Sequence, residues 1–249
     1  MNVVILMATG FSEFSESKNH NFPKFLTEIN NKTIVQHVID GLSPLIEKDY
    51  KIIFVIRKVD DEKYYLSKTL KLLAPNSVVI TNPGQSAGGA ISALLSIEEV
   101  NETDPLLIIN GDQIIEKNLF DLVKNFLDSG VDAGTVVFNS VHPRWSYVKC
   151  NEEGYIIEAA EKKPISKLAT AGFYYYKISS DFFDSVKKMI LKDSDVNGQF
   201  YVCPAFNEMV LIDKKIGIFN IDSKQYHSLM TKKMIDDYEN YLLNKNKSN

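Results

Sequence analysis

A chain of 249 residues, 45% hydrophobic and 24% charged, has the composition of a folded globular protein with room for a sizeable core. Its net charge of −4 gives no basic field to hold a nucleic-acid backbone, and two cysteines, Cys150 and Cys203, make neither a disulfide framework nor a zinc set. No apolar run approaches the ~20 residues of a membrane span, and VVILM at the start is too short, and lacks the basic flank, for a secretory signal, so the expectation is a cytoplasmic protein in a reducing compartment.

In chain order, NVVILM (2–7) reads as a strand buried on both faces, because its apolar run has no polar alternation. Residues 33–46 space their apolar side chains three and four apart, as a helix does. KIIFVIR (51–57) is a second buried strand, 61–74 a helix stopped by Pro75, and SVVIT (77–81) a third strand. SAGGAISALLSIEEV (86–100) starts with small residues and continues as a helix, PLLIIN (105–110) is the fourth strand, and 118–130 is a helix closed by a glycine. Strand and helix thus alternate four times, which calls for a mainly parallel sheet covered on both faces. The later pattern differs: AGTVVFNS, YVKCN, YIIEAAEK and TAGFYYYK read as strands without long helices between them, with a hairpin turn at 151–154. Helices return at 180–192 and 200–212, IGIFNI (216–221) is a late strand, and 232–244 is a C-terminal helix with a frayed tail. With no repeat, low-complexity block or linker, 1–249 reads as one domain: a nucleotide-type half (1–135), an acceptor-type half (136–231), and the closing helix and tail (232–249).

In a mainly parallel sheet, ligands bind beyond the carboxyl ends of the strands. Four polar stretches leave strands there. The opening loop MATGFSEFSESKNHNFPK carries Ala8, Thr9 and Gly10 and ends in Pro23-Lys24. NPGQSAGGA (82–90) supplies Gly84, Gln85, Gly88 and Gly89, small residues that let backbone amides approach a base, sugar or phosphate; a plain strand-to-helix turn has the same composition. NGDQ (110–113) puts Asn110, Gly111 and Asp112 at the end of a buried strand, where a carboxylate is costly without a positive neighbour; a Mg2+ ion bridging phosphates would supply one. EKKPISKLATAGFYYYK (161–177) brings Glu161, Lys162 and Gly172, a carboxylate suited to a sugar hydroxyl and a lysine suited to a phosphate. HPRWSYVK (142–149) groups Arg144, the single tryptophan and Tyr147, a set suited to clamping a phosphorylated ligand. Arg57 and Arg144 are the only arginines among 28 basic residues: either each marks a place where a bidentate fork is wanted, or the chain has a bias to lysine with two random survivors.

The order of these parts, with NGQFYVCPAFNEM further on, resembles the sugar-phosphate nucleotidyltransferases over roughly residues 2–238. Its HPRWSYVK, EKKPIS and LATAGFYYY stretches look closest to a bacterial subgroup of capsule and surface-polysaccharide loci. The resemblance implies a three-layer α/β/α fold of GT-A-like, Rossmann-related type with a mixed, mainly parallel central sheet. It implies attack of a phosphorylated sugar, or a similar small phosphorylated acceptor, on the α-phosphate of a nucleoside triphosphate, with loss of pyrophosphate. By matched position, Lys24 and Asp112 are the catalytic pair and Asp112 carries Mg2+. Ala8, Thr9, Gly10, Gly84, Gln85, Gly88, Gly89, Asn110 and Gly111 line the nucleotide. Arg144, Tyr147, Glu161, Lys162 and Gly172 hold the acceptor. Homo-oligomers are common for this fold.

The chain departs from the pattern at three places. Where the family's loop reads G-x-G-x-R, Thr9, Phe11 and Glu13 stand here, and a glutamate repels a triphosphate that an arginine would attract. Ser228 stands at the place of a second metal-binding aspartate, with His227 or Asp222 as substitutes, and Gln199 stands where the subgroup more often has an acid. Two further readings share the fold: a transferase that takes a nucleotide-sugar as donor, and a binding protein without turnover.

Overall fold

The computed structural model describes residues 1–7, 23–84 and 87–247. At its centre lies β1 (Asn2–Leu6), flanked in parallel by β4 (Lys51–Arg57) and β6 (Leu106–Asn110), with β5 (Val78–Asn82) parallel to β4 at the edge. The alternation of side chains along β1 explains why its run is wholly apolar: Val3 and Ile5 point into one helical layer, Val4 and Leu6 into the other. The first layer holds α1 (Ile34–Ile46) and α3 (Leu66–Leu73), which α2 (Lys58–Tyr64) links to β4, then α5 (Leu119–Ser129) and α8 (Lys232–Lys247). The second holds α4 (Gly89–Leu94), α6 (Ser179–Leu191) and α7 (Ala205–Val210).

The sheet becomes mixed on its other side. A long strand, β11 (Leu168–Tyr176), runs antiparallel to β6 through residues 173–176 and antiparallel to β9 (Ser146–Cys150) through Leu168 and Ala169. On its opposite edge β11 pairs with β8 (Ala133–Asn139), which in turn pairs in parallel with β12 (Ile216–Asn220). β10 (Ile156–Glu161) hairpins back onto β9. The register of β11 on β8 shifts between Thr170 and Tyr174, at the place where β11 leaves β9 and joins β6. A gap in the sheet therefore opens beside Gly172, and the site lies there. Two short pieces complete the frame: a two-stranded ribbon of β7 (Gln113–Ile115) and β13 (Tyr226–Ser228), and the β2 (Glu28–Ile29)–β3 (Lys32–Thr33) hairpin before α1. The mixed, mostly parallel α/β architecture is the one expected from the sequence.

Local signals fix several ends. Thr33 and Gln36 form a reciprocal capping box at the start of α1. The Asn118 side chain accepts from the amides of Phe120 and Asp121, and Gly130, at φ 69°, closes α5 in the left-handed region. The hairpin turn at 151–154 is present, with the Asn151 side chain accepting from Glu153 and Tyr155 and Gly154 at φ 86°.

Three helix expectations are corrected, and one ribbon is additional. The helix expected over 61–74 is two, because Tyr65 takes φ 54° and breaks the ladder; the first piece starts earlier, where Arg57 grips Asp60 through two bonds of 2.7 Å. The helix expected over 86–100 shrinks to α4 and a 3-10 turn at Ile97–Glu99, because Gly88 at φ 109° sets a late start. The helix expected over 200–212 is only α7, because the Phe200 backbone is bonded to Ala87 and Ala90 and Pro204 sets the helix start. The β7–β13 ribbon was not anticipated, since three-residue strands carry too little pattern.

The helix α8 is tied to this ribbon through Glu116, which accepts from Tyr241 Oη at 2.5 Å and Lys245 Nζ at 3.0 Å. Burial alone would raise the Glu116 carboxyl, but these bonds hold it below its usual range. His227 packs against the rings of Tyr238 and Tyr241, its Nε2 3.9 Å from Glu116, too far for a hydrogen bond. Burial lowers the pKa of its imidazole despite the nearby carboxylate. As pH falls below 6.5 the unfolded His227 protonates before the folded one, so stability present above that pH is lost through the mildly acidic range; His227→Phe should shrink the Tm difference between pH 7.5 and pH 5.5. A Cβ on Gly134 would overlap the Phe126 ring, which stacks on Tyr175 at a centroid distance of 5.6 Å. Gly134→Ala should cost about 1–3 kcal/mol in urea unfolding, and adding Phe126→Leu should recover part of it.

Candidate active site

β6 ends at Asn110, and Gly111 turns the chain sharply: its amide bonds the Leu6 carbonyl at 2.8 Å, and a Cβ there would collide with the Met7 side chain. That turn delivers Asp112, whose carbonyl accepts from the Leu229 amide at 2.8 Å and is thereby fixed to the segment following β13. From the other direction Pro23, at φ −65°, opens a 3-10 turn (Lys24–Leu26) that brings Lys24 beneath the sheet rim. Lys24 Nζ meets Asp112 Oδ2 at 2.8 Å, with the side chains only 7% and 11% exposed. A buried pair of this kind holds only while both members are present, since removing one leaves an uncompensated charge costing ~3–5 kcal/mol.

Around this pair lies a cleft of about 420 Å³. Its lining joins residues from both halves of the chain: Gly88, Gly89, Asn110 and Gln113 on one side; Arg144, Glu161, Lys162 and Gly172 on the other. Gly172, at φ 60°, sits in the β11 irregularity, and a Cβ there would strike the side-chain amides of Gln113 and Asn110. Glycine is required because two amide side chains occupy the space a larger residue would fill. Gly88 has a similar constraint: a Cβ would overlap the Phe200 backbone, whose amide donates to Ala87 and whose carbonyl accepts from Ala90 at 2.9 Å. The glycine turn is thus stitched to the stretch bearing Gln199 and Tyr201. Gln113 Oε1 accepts from Tyr226 Oη at 3.3 Å, while its Nε2 is buried without a partner among the described residues.

At the far wall Glu161 ends β10, and Lys162 turns away with φ 54°. Burial pushes the Glu161 carboxyl up; the hydroxyl of Ser146, which donates to Oε2, and the charge of Lys162 pull it back. Lys162 Nζ donates to Tyr201 Oη at 2.8 Å, which donates to Gln199 Oε1 at 3.0 Å. Arg144 stays exposed, its guanidinium against both nitrogens of the His142 ring and 5.6 Å from the centroid of Trp145. Beneath Glu161, Thr170 and Tyr174 share a buried hydroxyl bond of 2.9 Å. Burial drives the Tyr174 phenol and the Cys203 thiol well above their ordinary values, so both stay neutral.

The structure brings together Lys24, Gly88, Gly89, Asn110, Asp112, Arg144, Glu161, Lys162 and Gly172 of the residues singled out in the sequence, and Gln199 with them. Others lie elsewhere. Tyr147 is fully buried, and its hydroxyl bonds the His142 carbonyl at 2.6 Å, so it shapes the 142–145 turn and does not face the cleft. Gly111 packs on Met7, and Gly84 is exposed away from the lining. Asp222 caps a 3-10 turn (Ser223–Gln225) through the Lys224 amide and is spent on that turn. Ser228 is buried on the ribbon opposite Gln113 and does not line the cleft. Arg57 is used in its fork to Asp60. Ala8, Thr9, Gly10, Gln85 and the loop substitution at Glu13 lie outside the described residues. Sequence reasoning missed Ser146, Thr170, Tyr174, Tyr201, Tyr226 and Met230; only strand register and the β7–β13 ribbon place them here.

Among the described residues no three His, Cys, Asp or Glu side chains converge as a ready metal cage. Asp112, a buried carboxylate on the lining of this cleft, fits Mg2+, which takes one or two carboxylates and completes its shell with waters and phosphates. No helix of the described residues is long and apolar enough to cross a membrane.

This geometry has relatives. The chain matches UTP–glucose-1-phosphate uridylyltransferase AglF of Haloferax volcanii at 30% identity over 191 residues, 71% of this chain and 72% of that protein. It matches the bifunctional protein GlmU of Methanocaldococcus jannaschii at 26% over 222 residues, 88% of this chain but 49% of that longer one. The crystal structure of a nucleoside-diphosphate-sugar pyrophosphorylase from Vibrio cholerae RC9 superposes with a TM-score of 0.83 at 20% identity, covering 96% of this chain and 99% of that one; at that identity it speaks for the fold. Residues 19–200 match the family model described as nucleotidyl transferase. With its match spanning most of the sequence, and the Lys24–Asp112 pair, the glycine turn and the Glu161 wall in one cleft, the chain belongs to the nucleotidyl transferase family.

Proposed function

We propose that this protein transfers a nucleoside monophosphate from a nucleoside triphosphate to a phosphorylated sugar, or a similar small phosphorylated acceptor, and releases pyrophosphate. The observation that carries the reading is the buried Lys24–Asp112 pair at the carboxyl end of β6, set between the glycine turn and the Glu161–Lys162 wall. The first half of the chain (1–135) supplies the nucleotide side and the second (136–231) the acceptor side, with 232–249 closing the frame. A relative at 30% identity that bears a uridylyltransferase name supports a sugar phosphate as acceptor. The resemblance to capsule-locus proteins supports a place in making an activated precursor for a surface polysaccharide, in the cytoplasm where nucleoside triphosphates are found.

An oxygen of the acceptor's phosphate attacks the α-phosphorus, a new P–O bond forms, and the bond to the bridging oxygen of the β-phosphate breaks with its electron pair leaving on pyrophosphate. No proton needs to move, so the protein's task is alignment and charge neutralisation. Gly88 and Gly89, lacking side chains, let the nucleotide lie against the backbone. Lys24 places its ammonium at the α-phosphate, where charge builds in the transition state. Glu161, with Oε2 held by Ser146, keeps its other oxygen for an acceptor hydroxyl, and Lys162 and Arg144 face the acceptor's phosphate. Mg2+ held by Asp112, when bound, would neutralise the triphosphate and its departing diphosphate.

The test is a panel of CTP, UTP, GTP and dTTP against a set of sugar phosphates, read as pyrophosphate release. One pair should turn over, and no release with any pair would overturn the reading. On that pair, Asp112→Asn should lower kcat by about 10²–10³-fold with the folded near-UV spectrum retained; an unchanged rate would remove Asp112 from the reaction centre. Glu161→Gln should raise the acceptor's KM at least 10-fold and leave the nucleotide's KM within twofold, and a parallel rise in both would deny Glu161 its place on the acceptor side.

A further inference from the structure

The contact between Lys24 and Asp112 has a consequence for what can enter the site. The ammonium is already on Asp112 Oδ2, at 2.8 Å and nearly out of solvent. The Asp112 carbonyl already accepts from the Leu229 amide. Glu161, the other carboxylate lining the cleft among the described residues, has one oxygen occupied by the Ser146 hydroxyl. A bare divalent cation arriving at Asp112 therefore meets a resident cation, with no cluster of three or more His, Cys, Asp or Glu side chains among the described residues to offset it, and two like charges a few ångströms apart in a buried place repel strongly. A metal-free triphosphate fares no better: to draw Lys24 to its phosphates it must leave Asp112 uncompensated beside its own negative charge. Only a divalent metal and a polyphosphate arriving together satisfy both partners, the metal replacing Lys24 on Asp112 while Lys24 moves to the phosphate.

We propose that Lys24 is a resident counter-ion which makes the site selective for the metal–nucleotide complex over either component alone. The inference rests on the nucleotidyl-transfer reading for the identity of the complex. Lys24 is then a specificity-determining residue for binding as well as a group at the reacting phosphate. In the exchange no charge is left without a partner: the divalent metal takes the place of the ammonium on the carboxylate, and the ammonium passes to an oxygen of the polyphosphate.

The experiment is Mn2+ binding, read by the loss of the free-ion electron paramagnetic resonance signal, without turnover. Wild-type protein with Mn2+ alone should bind weakly. Mn2+ with an α,β-methylene triphosphate analogue should bind at least 10-fold more tightly. Lys24→Met with Mn2+ alone should also bind at least 10-fold more tightly than wild type, and Lys24→Met combined with Asp112→Asn should lose that gain. Lys24→Gln serves as the second variant if Lys24→Met does not fold. Equal Mn2+ affinity in wild type and the Lys24 variants would overturn the inference, as would a gain that survives removal of Asp112. Pyrophosphate release is not read in this experiment, so a protein that shows the exchange yet turns over no substrate pair would lose the proposed reaction and keep the counter-ion.

Discussion

A lysine and an aspartate 88 positions apart in sequence, joined in a 2.8 Å bond that solvent hardly reaches, set the terms for this molecule. Neither charge is tolerable alone at the rim of an apolar sheet. Pro23 fixes the turn that brings Lys24 inward, and Gly111 allows the turn that brings Asp112 outward. The segment after β13 clamps the Asp112 carbonyl, and α8 clamps the ribbon through Glu116. Much of the architecture outside the core holds these two opposite charges together at the rim of the sheet.

The mixed sheet serves the same end. A wholly parallel sheet would offer only the strand ends, whereas β11 leaves β9 and joins β6 midway, opening a gap beside Gly172. Amide side chains of Asn110 and Gln113 come up to Gly172 there, and Glu161 reaches the cleft from β10. The stitch between Gly88 and Phe200 ties the two sides, so that a ligand spanning them meets a surface already assembled.

Long apolar strands and capped helices were legible in the sequence because each carries its own local signal. β4 spans the residues expected from KIIFVIR, and α5 begins at its asparagine cap and stops at its glycine. Lys24, Asp112, Glu161 and Lys162 could be named as chemistry, but their convergence depends on sheet order, which no local pattern states. Tyr147 shows the limit most plainly. In a strand adjacent side chains point to opposite faces; the sequence offered Ser146 and Tyr147 side by side, and the structure turns the serine to the cleft and the tyrosine to the core. Tyr226 and Met230 arrive by way of a three-residue strand too short to leave a period.

If Lys24 is a resident counter-ion, a metal-bound polyphosphate takes the place between it and Asp112. The most direct measurement is the Lys24 Nζ–Asp112 Oδ2 separation in a crystal of the protein with Mg2+ and a non-hydrolysable nucleoside triphosphate. The 2.8 Å contact should open, with metal on the carboxylate and a phosphate oxygen on the ammonium. A nucleotide bound while that contact stays closed would contradict it.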